Sequence, residues 1–204
     1  MDMRMTVTGV DSIKQMLDRL RSEQKAQALS MALNKVAAKG RTEIKREISS
    51  EYAIKSADVQ ESISLGFARK SMSEITATIS IFGSGSRRGR SMNMIHFLSA
   101  LAGVKTRGAR ATRKEIKEIG EQLGFKIKRA GGLKAINGAF VANKGRTIFR
   151  RVGKGRLPID PVQVIGVSQM FRSRKIETRI MAALREQLPI EINRAVEHLL
   201  RTAR

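Results

Sequence analysis

His96 and His198 are the only imidazoles in the sequence, and there is no cysteine. Acid–base or nucleophilic catalysis needs such groups paired with a carboxylate or a hydroxyl. His96 stands beside Phe97 in an apolar patch, and His198 falls late in a helical pattern. No partner can be placed with either from spacing, so both read as packing and surface residues. Glu43 and Glu47, four apart, would share a helix face. Lys39, Lys45 and Arg46 surround them, which is the pattern of an exposed helix laced by ion pairs rather than of an acid–base dyad. Without thiolates, and with few carboxylates, no metal set emerges. Gly83, Gly85 and Gly89 follow a strand-like run, but the next acid is Glu115, so the acidic residue of a dinucleotide fingerprint is missing. Gly153-Lys154 lacks the remainder of a phosphate-binding loop, since Ile148 and Gly155 stand where Gly and Ser or Thr are needed. The sequence therefore predicts no catalytic residue, no metal and no cofactor, and a protein that is not an enzyme.

The chemistry that remains is charge. The chain has 204 residues, with 40 Lys and Arg against 18 Asp and Glu, a net charge of +22. Residues 75–159 carry 19 basic and 3 acidic side chains, a net +16, and 75–114 and 122–159 contain no acid at all. Ordinary surfaces mix the two signs. A field of this size attracts polyanions or acidic protein surfaces and repels its own copies. In the first half of this stretch, Arg87, Arg88, Arg90, Lys105, Arg107, Arg110, Arg113 and Lys114 lie in or beside glycine-containing segments suited to phosphate contact. In the second half, Arg150, Arg151, Lys154 and Arg156, with Leu157 and Pro158, lie on or beside strands and are candidates for a subunit interface. Only eight aromatics are present, and Phe82, Phe140 and Phe149 fall in strand-like runs, where they read as core. That leaves little for base stacking and favours contact with a phosphate backbone.

These side chains must be positioned by elements that the apolar pattern announces. A strand is expected over 6–10, capped by Asp11 or Ser12 into a helix. Ile13, Met16, Leu17 and Leu20 then Leu29, Leu33, Val36, Ala37, Ile44 and Ile48 trace one face of a helix, or two in series, over 11–50, with Gly40 marking a kink. A helical turn over 58–62 precedes a hairpin of 63–68 with 75–82, in which Ile75, Ala77, Ile79 and Ile81 alternate with polar residues. Basic loops follow over 83–94 and 103–114, with a short helix over 115–123. Strands are expected over 126–129, 139–142 and 147–152. Ile176, Ile180, Leu184 and Leu188, then Ile192, Val196 and Leu199, form a C-terminal helical stripe that Pro189 should kink or break. The sum is a single α+β domain over 1–204, with helical parts over 1–50 and 172–204 packed on a small mixed or antiparallel sheet over 63–170. No apolar run approaches the ~20 residues of a spanning helix, so no membrane association is expected. The N-terminus shows no signal-like pattern.

One set of residues says more than composition. Gly138-Ala139-Phe140-Val141-Ala142, then Ile148-Phe149-Arg150-Arg151-Val152-Gly153-Lys154-Gly155-Arg156-Leu157-Pro158-Ile159, then Ile165-Gly166-Val167-Ser168-Gln169-Met170-Phe171, resembles the C-terminal signature of the tailed-phage minor tail protein Z family. Residues 32–42 and Ile54-Lys55 are similar to that family's opening helix and the turn after it. The likeness spans about 28–172 and is thinnest over 84–133. It departs at Gly166-Val167-Ser168-Gln169, where the family is richer in proline. The resemblance implies a structural virion protein that completes the head-proximal end of a phage tail, or the neck joining tail to head. It implies a ring of six copies around a DNA channel, with tail terminator, tail tube or neck proteins as neighbours and phage DNA within reach. The alternative that composition leaves open is a free-standing, nonspecific nucleic-acid-binding protein.

Overall fold

A computed structural model describes residues 2–3, 15, 17–18, 20–71, 74–82, 91–100 and 123–202. The described chain is α+β, with long helices toward both ends and small antiparallel sheets between them. It divides into two compact units.

The first unit comprises Met1–Ile44, Ile63–Ile81 and Phe171–Arg204. Its principal element is α1, Ser22–Glu51, which supplies residues up to Ile44 here and from Lys45 to the second unit. Ala-, Lys- and Glu-rich sequence favours the helix. Gln24 reaches back to accept from the Arg21 amide at 3.1 Å, half of a capping box that satisfies an amide the helix leaves open. Ala28, Ala32, Val36 and Ala37 form its buried face. Opposite are Ile176, Ile180, Leu184, Leu188, Ile192, Val196 and Leu199, all within Arg174–Thr202 and all buried. Each such Ile or Leu contributes about 1.5–3 kcal/mol on burial.

The sheet of this unit sets β3, Thr78–Ile81, between β1, Asp2–Met3, and β2, Ile63–Gly66, all antiparallel. Ile79 and Ile81 point into the core while Thr78 and Ser80 are half-buried, the alternation the sequence announced. Gly40 sits mid-helix because a Cβ there would lie 2.7 Å from Ile79 Cδ1 and 2.9 Å from Leu184 Cδ2. The helix runs unbroken through this glycine, which serves a close approach rather than a break. Asn34 replaces a strand partner for Ala68. Its Nδ2 donates to the Ala68 carbonyl at 3.0 Å and its Oδ1 accepts from the Ala68 amide at 2.7 Å.

The second unit comprises Lys45–Ser62 and Phe82–Met170. It contains α2, Ser56–Gln60, a 3-10 turn, Met94–Phe97, and three small antiparallel sheets. One pairs β4, Met92–Asn93, with Gln163–Val164. A second orders β5, Leu98–Ala100, then β6, Gly124–Phe125, then β7, Lys134–Ala135. In the third, β9, Thr147–Arg151, lies between β8, Ala139–Ala142, and β10, Ile159–Pro161. With β11 for Gln163–Val164, the chain then enters α3, Val167–Phe171, and α4, Arg174–Thr202. The core of this unit is Ile48, Tyr52, Ile54, Val59, Ile95, Phe97, Leu98, Phe125, Ile148 and Met170. Burial, followed by the adjacent Glu51 charge, pushes the Tyr52 phenol above its ordinary pKa.

Three expectations are corrected. The strand expected over 126–129 does not form. Pairing instead falls on Gly124–Phe125, and 126–129 closes onto the end of α1, with the Ala53 amide on the Ile127 carbonyl at 2.8 Å and the Arg129 amide on the Glu51 carbonyl at 2.9 Å. Of the kink or break expected at Pro189, the break does not occur, since α4 runs from Arg174 to Thr202. The carbonyl the proline deprives of a partner belongs to Arg185, an exposed residue, and Leu184, Leu188 and Ile192 carry the buried stripe across the proline. Finally, Phe82, Phe140 and Phe149 are only half-buried. The fully buried phenylalanines are Phe97, Phe125 and Phe171. Of the basic loop expected over 83–94, residues 83–90 lie outside the described residues, while Met92–Asn93 forms β4 and Met94 opens the 3-10 turn. The expectations over 6–10 and 103–114 lie outside the described residues, as does all but Leu123 of the short helix over 115–123.

Candidate interaction surfaces

The β8–β9–β10 sheet carries the second group of basic residues. The β8–β9 hairpin closes through Asn143, Lys144, Gly145 and Arg146. Three of these have positive φ, at 54°, 54° and 77°, a region that Gly and Asn enter readily and Lys does not. The Arg146 amide donates to the Asn143 carbonyl at 3.1 Å. Register places Phe140 opposite Phe149, and their rings stack with centroids 6.2 Å apart at 28°. The Arg151 guanidinium lies 5.6 Å from the centroid of Phe140. One face of the sheet is thus a half-exposed aromatic pair capped by a cation, an arrangement worth about 0.5–1 kcal/mol beyond burial. On the other face Ile148 is fully buried.

Asn93 ties this sheet to the unit. Its Oδ1 accepts from the Ile148 amide at 2.8 Å and from the Ile95 amide at 3.1 Å, and its Nδ2 donates to the Ile148 carbonyl at 3.2 Å. The Val162 amide reaches the same carbonyl at 2.9 Å. From β9 to β10 the chain passes through Val152–Pro158, closed by the Val152 amide on the Pro158 carbonyl at 3.2 Å. Lys154, Arg156, Leu157 and Pro158 are all exposed there, with Leu157 at 71% and Val152 at 55%. Arg150 is exposed and faces Asp160 across the strands. The structure therefore brings Arg150, Arg151, Lys154, Arg156, Leu157 and Pro158 onto one sheet and its connecting turn. Arg87, Arg88, Arg90, Lys105, Arg107, Arg110, Arg113 and Lys114 lie outside the described residues.

In the first unit, a groove of about 720 Å³ runs between α1 and α4. Its floor is apolar, with Ala32 and Leu184, and a buried carboxylate sits in its wall. Glu191 is 4% exposed, and its Oε1 accepts from Lys39 Nζ at 2.6 Å and Arg194 Nη1 at 2.7 Å. Lys39 also donates to Gln187 Oε1 at 2.6 Å. The Lys39 hydrogen bond, with the charges of Lys39 and Arg194, holds the Glu191 carboxyl below the ordinary glutamate range against the opposing effect of burial. A carboxylate held ionised by a lysine of α1 and an arginine of α4 ties the two helices together; it is unsuited to proton transfer. His198 lines the same groove and is exposed. His96 Nδ1 lies 3.0 Å from Asp58 Oδ2 in the second unit, a pairing between residues far apart in sequence that spacing does not reveal. Asn34, Asn93 and Glu191 escaped sequence reading for the same reason, since each acts through a partner distant along the chain.

The β8–β9–β10 sheet thus presents exposed cations, half-buried aromatics and exposed apolar side chains on its strands and connecting turn. The family model described as prophage minor tail protein Z matches residues 7–204. The chain belongs to this family. A minor tail protein is a structural component of a phage tail, and membership places this chain with the virion. Nearly the whole chain is matched, so the α4 region and the basic middle both lie within the minor tail protein Z match. No curated protein and no solved structure matches the chain. Among the described residues no helix is long and apolar enough to cross a membrane, and no cluster of three His, Cys, Asp or Glu residues could hold a metal ion.

Proposed function

We propose that this minor tail protein completes the head-proximal end of the tail, at or near the neck, as a ring of six copies around the DNA channel. The role is one of assembly, without catalysis or cofactor. The observation that carries the reading is the concentration of a net +16 in residues 75–159 of a chain that belongs to a tail-protein family. Repeating that charge around an axis multiplies the field, and such a ring is stable only where anionic matter neutralises it. DNA in the channel and acidic tail terminator, tail tube or neck proteins supply that neutralisation.

In this reading Arg87, Arg88, Arg90, Lys105, Arg107, Arg110, Arg113 and Lys114 face DNA or a partner. Arg150, Arg151, Lys154, Arg156, Leu157 and Pro158 face the neighbouring subunit across a heterologous interface, in which two different patches meet. Electron microscopy of intact virions at subunit resolution tests it. Density for this chain encircling the channel at the head-proximal end is the expected result, and density elsewhere in the particle overturns the placement. If the chain is absent from virions and the isolated protein binds duplex DNA with a steep salt dependence, nonspecific nucleic-acid binding is the correct reading instead.

A further inference from the structure

We propose that the outer edge of β8 is a strand-addition site for an extended, acidic segment of a partner protein. The inference rests on the tail-assembly reading for where that partner is met, and on the β8–β9–β10 sheet for everything else.

The order β10–β9–β8 leaves β8 at the end of its sheet among the described residues. Hydrogen bonding along β9 identifies which backbone groups of β8 face outward. The amide and carbonyl of Ile148 are engaged on the β10 side, by Asn93 and Val162. Ile148 is the cross-strand neighbour of Val141. Antiparallel pairs alternate between those that exchange hydrogen bonds and those that do not. Ile148–Val141 is therefore a non-exchanging pair, and the Val141 amide and carbonyl point away from β9. Ala139 has the same phase, and its amide is turned outward to the Ile136 carbonyl at 3.2 Å.

Edges of this kind are normally blunted by a charge, a proline or a bulge. At the opposite edge, β10 contains Asp160 and Pro161. The β8 run Ala139-Phe140-Val141-Ala142 has neither charge nor proline. Among the described residues no strand pairs with this apolar edge, which makes it a surface available for pairing.

Charge selects the occupant. Exposed Lys144, Arg146, Arg150 and Arg151 lie on the β8–β9 hairpin, exposed Lys134 precedes it in the chain, and the only acid on this sheet is Asp160 on the far strand. Two-fold pairing of β8 with its own copy would set these cations against one another, whereas a strand flanked by Asp or Glu meets complementary charge.

The test uses the full chain and two synthetic peptides, acetyl-Glu-Val-Thr-Val-Thr-Val-Asp-amide and its counterpart with lysine at both ends, each at millimolar concentration. Hydrogen exchange followed by mass spectrometry reads residues 139–142. The acidic peptide is expected to slow exchange there by about tenfold at low salt, with the protection falling as salt rises, and the lysine peptide is expected to do nothing. Val141→Pro removes an outward amide without removing a β8–β9 hydrogen bond and is expected to abolish the protection. If that variant fails to fold, as judged by circular dichroism, K144E/R146E decides, with the preference for the acidic peptide expected to disappear. Equal protection by both peptides, protection by neither, or protection of the same amides by a DNA duplex overturns the inference. So does a folded Val141→Pro chain that enters tails at the normal level, a result that leaves the tail placement standing. Absence of the unmodified chain from the tail overturns the placement, while β8 exchange on the isolated chain still reports on the edge.

Discussion

Replacing Asn93 by alanine isolates the link between the basic sheet and the rest of its unit. The substitution removes three hydrogen bonds, two to Ile148 and one to the Ile95 amide. The Ile148 carbonyl keeps Val162, but the Ile148 amide is left without an acceptor beside a residue with no solvent exposure. A buried orphaned donor costs about 1–3 kcal/mol. Loss of the side-chain cap on the Ile95 amide adds about 1 kcal/mol. N93A is thus expected to lose about 2–4 kcal/mol, read as a lower urea midpoint by circular dichroism and as faster exchange of the Ile148 amide. Asn93→Asp sharpens the argument. The carboxylate keeps both amides as donors but sets an acceptor against the Ile148 carbonyl, 3.2 Å from the present Nδ2. N93D is therefore expected to fall between N93A and the native chain in its urea midpoint at neutral pH. An N93A chain with an unchanged midpoint and unchanged Ile148 exchange would refute this account of how the sheet is held.

Three further perturbations address the first unit. Glu191 has a depressed pKa, so the stability it contributes is present above the ordinary glutamate value and is lost as pH falls through the folded one. E191Q should lower stability by about 1–3 kcal/mol at neutral pH and flatten the acid limb of a midpoint-versus-pH curve. Gly40→Ala gains about 1 kcal/mol of helix propensity but overpacks against Ile79 and Leu184, at about 1–3 kcal/mol. A net loss in thermal denaturation, partly relieved when Ile79→Val is added, is the expected outcome of the double-mutant cycle. Asn34→Ala frees both backbone groups of Ala68 and should cost about 1–3 kcal/mol, with faster exchange at the Ala68 amide.

What the sequence made legible follows from the range of the forces involved. The α1 and α4 stripes and the alternation at Ile79 and Ile81 are local periodicities, and each appears where its pattern placed it. β8 and β9 were readable because apolar residues cluster on either side of a turn containing Asn and Gly. Two-residue strands such as Gly124–Phe125 carry no periodicity, and 126–129, with Ile127 between Lys126 and Lys128, imitates a strand while its backbone bonds go to the end of α1. Pro189 carries a local penalty that the sequence shows, while the exposure of Arg185 and the buried stripe on the helix's other side, which let α4 continue through it, emerge only from packing. On the interaction surface, charge was visible by counting. The Phe140–Phe149–Arg151 stack was not, because aromatic residues in a strand look alike whether they face a core or an open surface.

The way the described acids are used bears on the assembly argument. Glu191 is held by Lys39 and Arg194, Asp18 by Lys25, and Asp58 faces His96. These carboxylates are spent on partners outside residues 122–159. On the β8–β9–β10 sheet one acid, Asp160, accompanies Lys144, Arg146, Arg150, Arg151, Lys154 and Arg156. Cations on a flexible tail would relieve their repulsion by spreading, but all six of these sit on a strand or in a turn closed by hydrogen bonds, which constrains their spacing. Maintaining that spacing costs free energy in the isolated chain, which salt or a surface of opposite sign would offset. The proposed assembly would match these cations with an acidic segment held in register rather than with a diffuse counterion cloud. It also predicts that raising salt will stabilise the free chain while weakening its incorporation into tails, a pair of opposite slopes that an unspecific polyanion binder, indifferent to assembly, would not show.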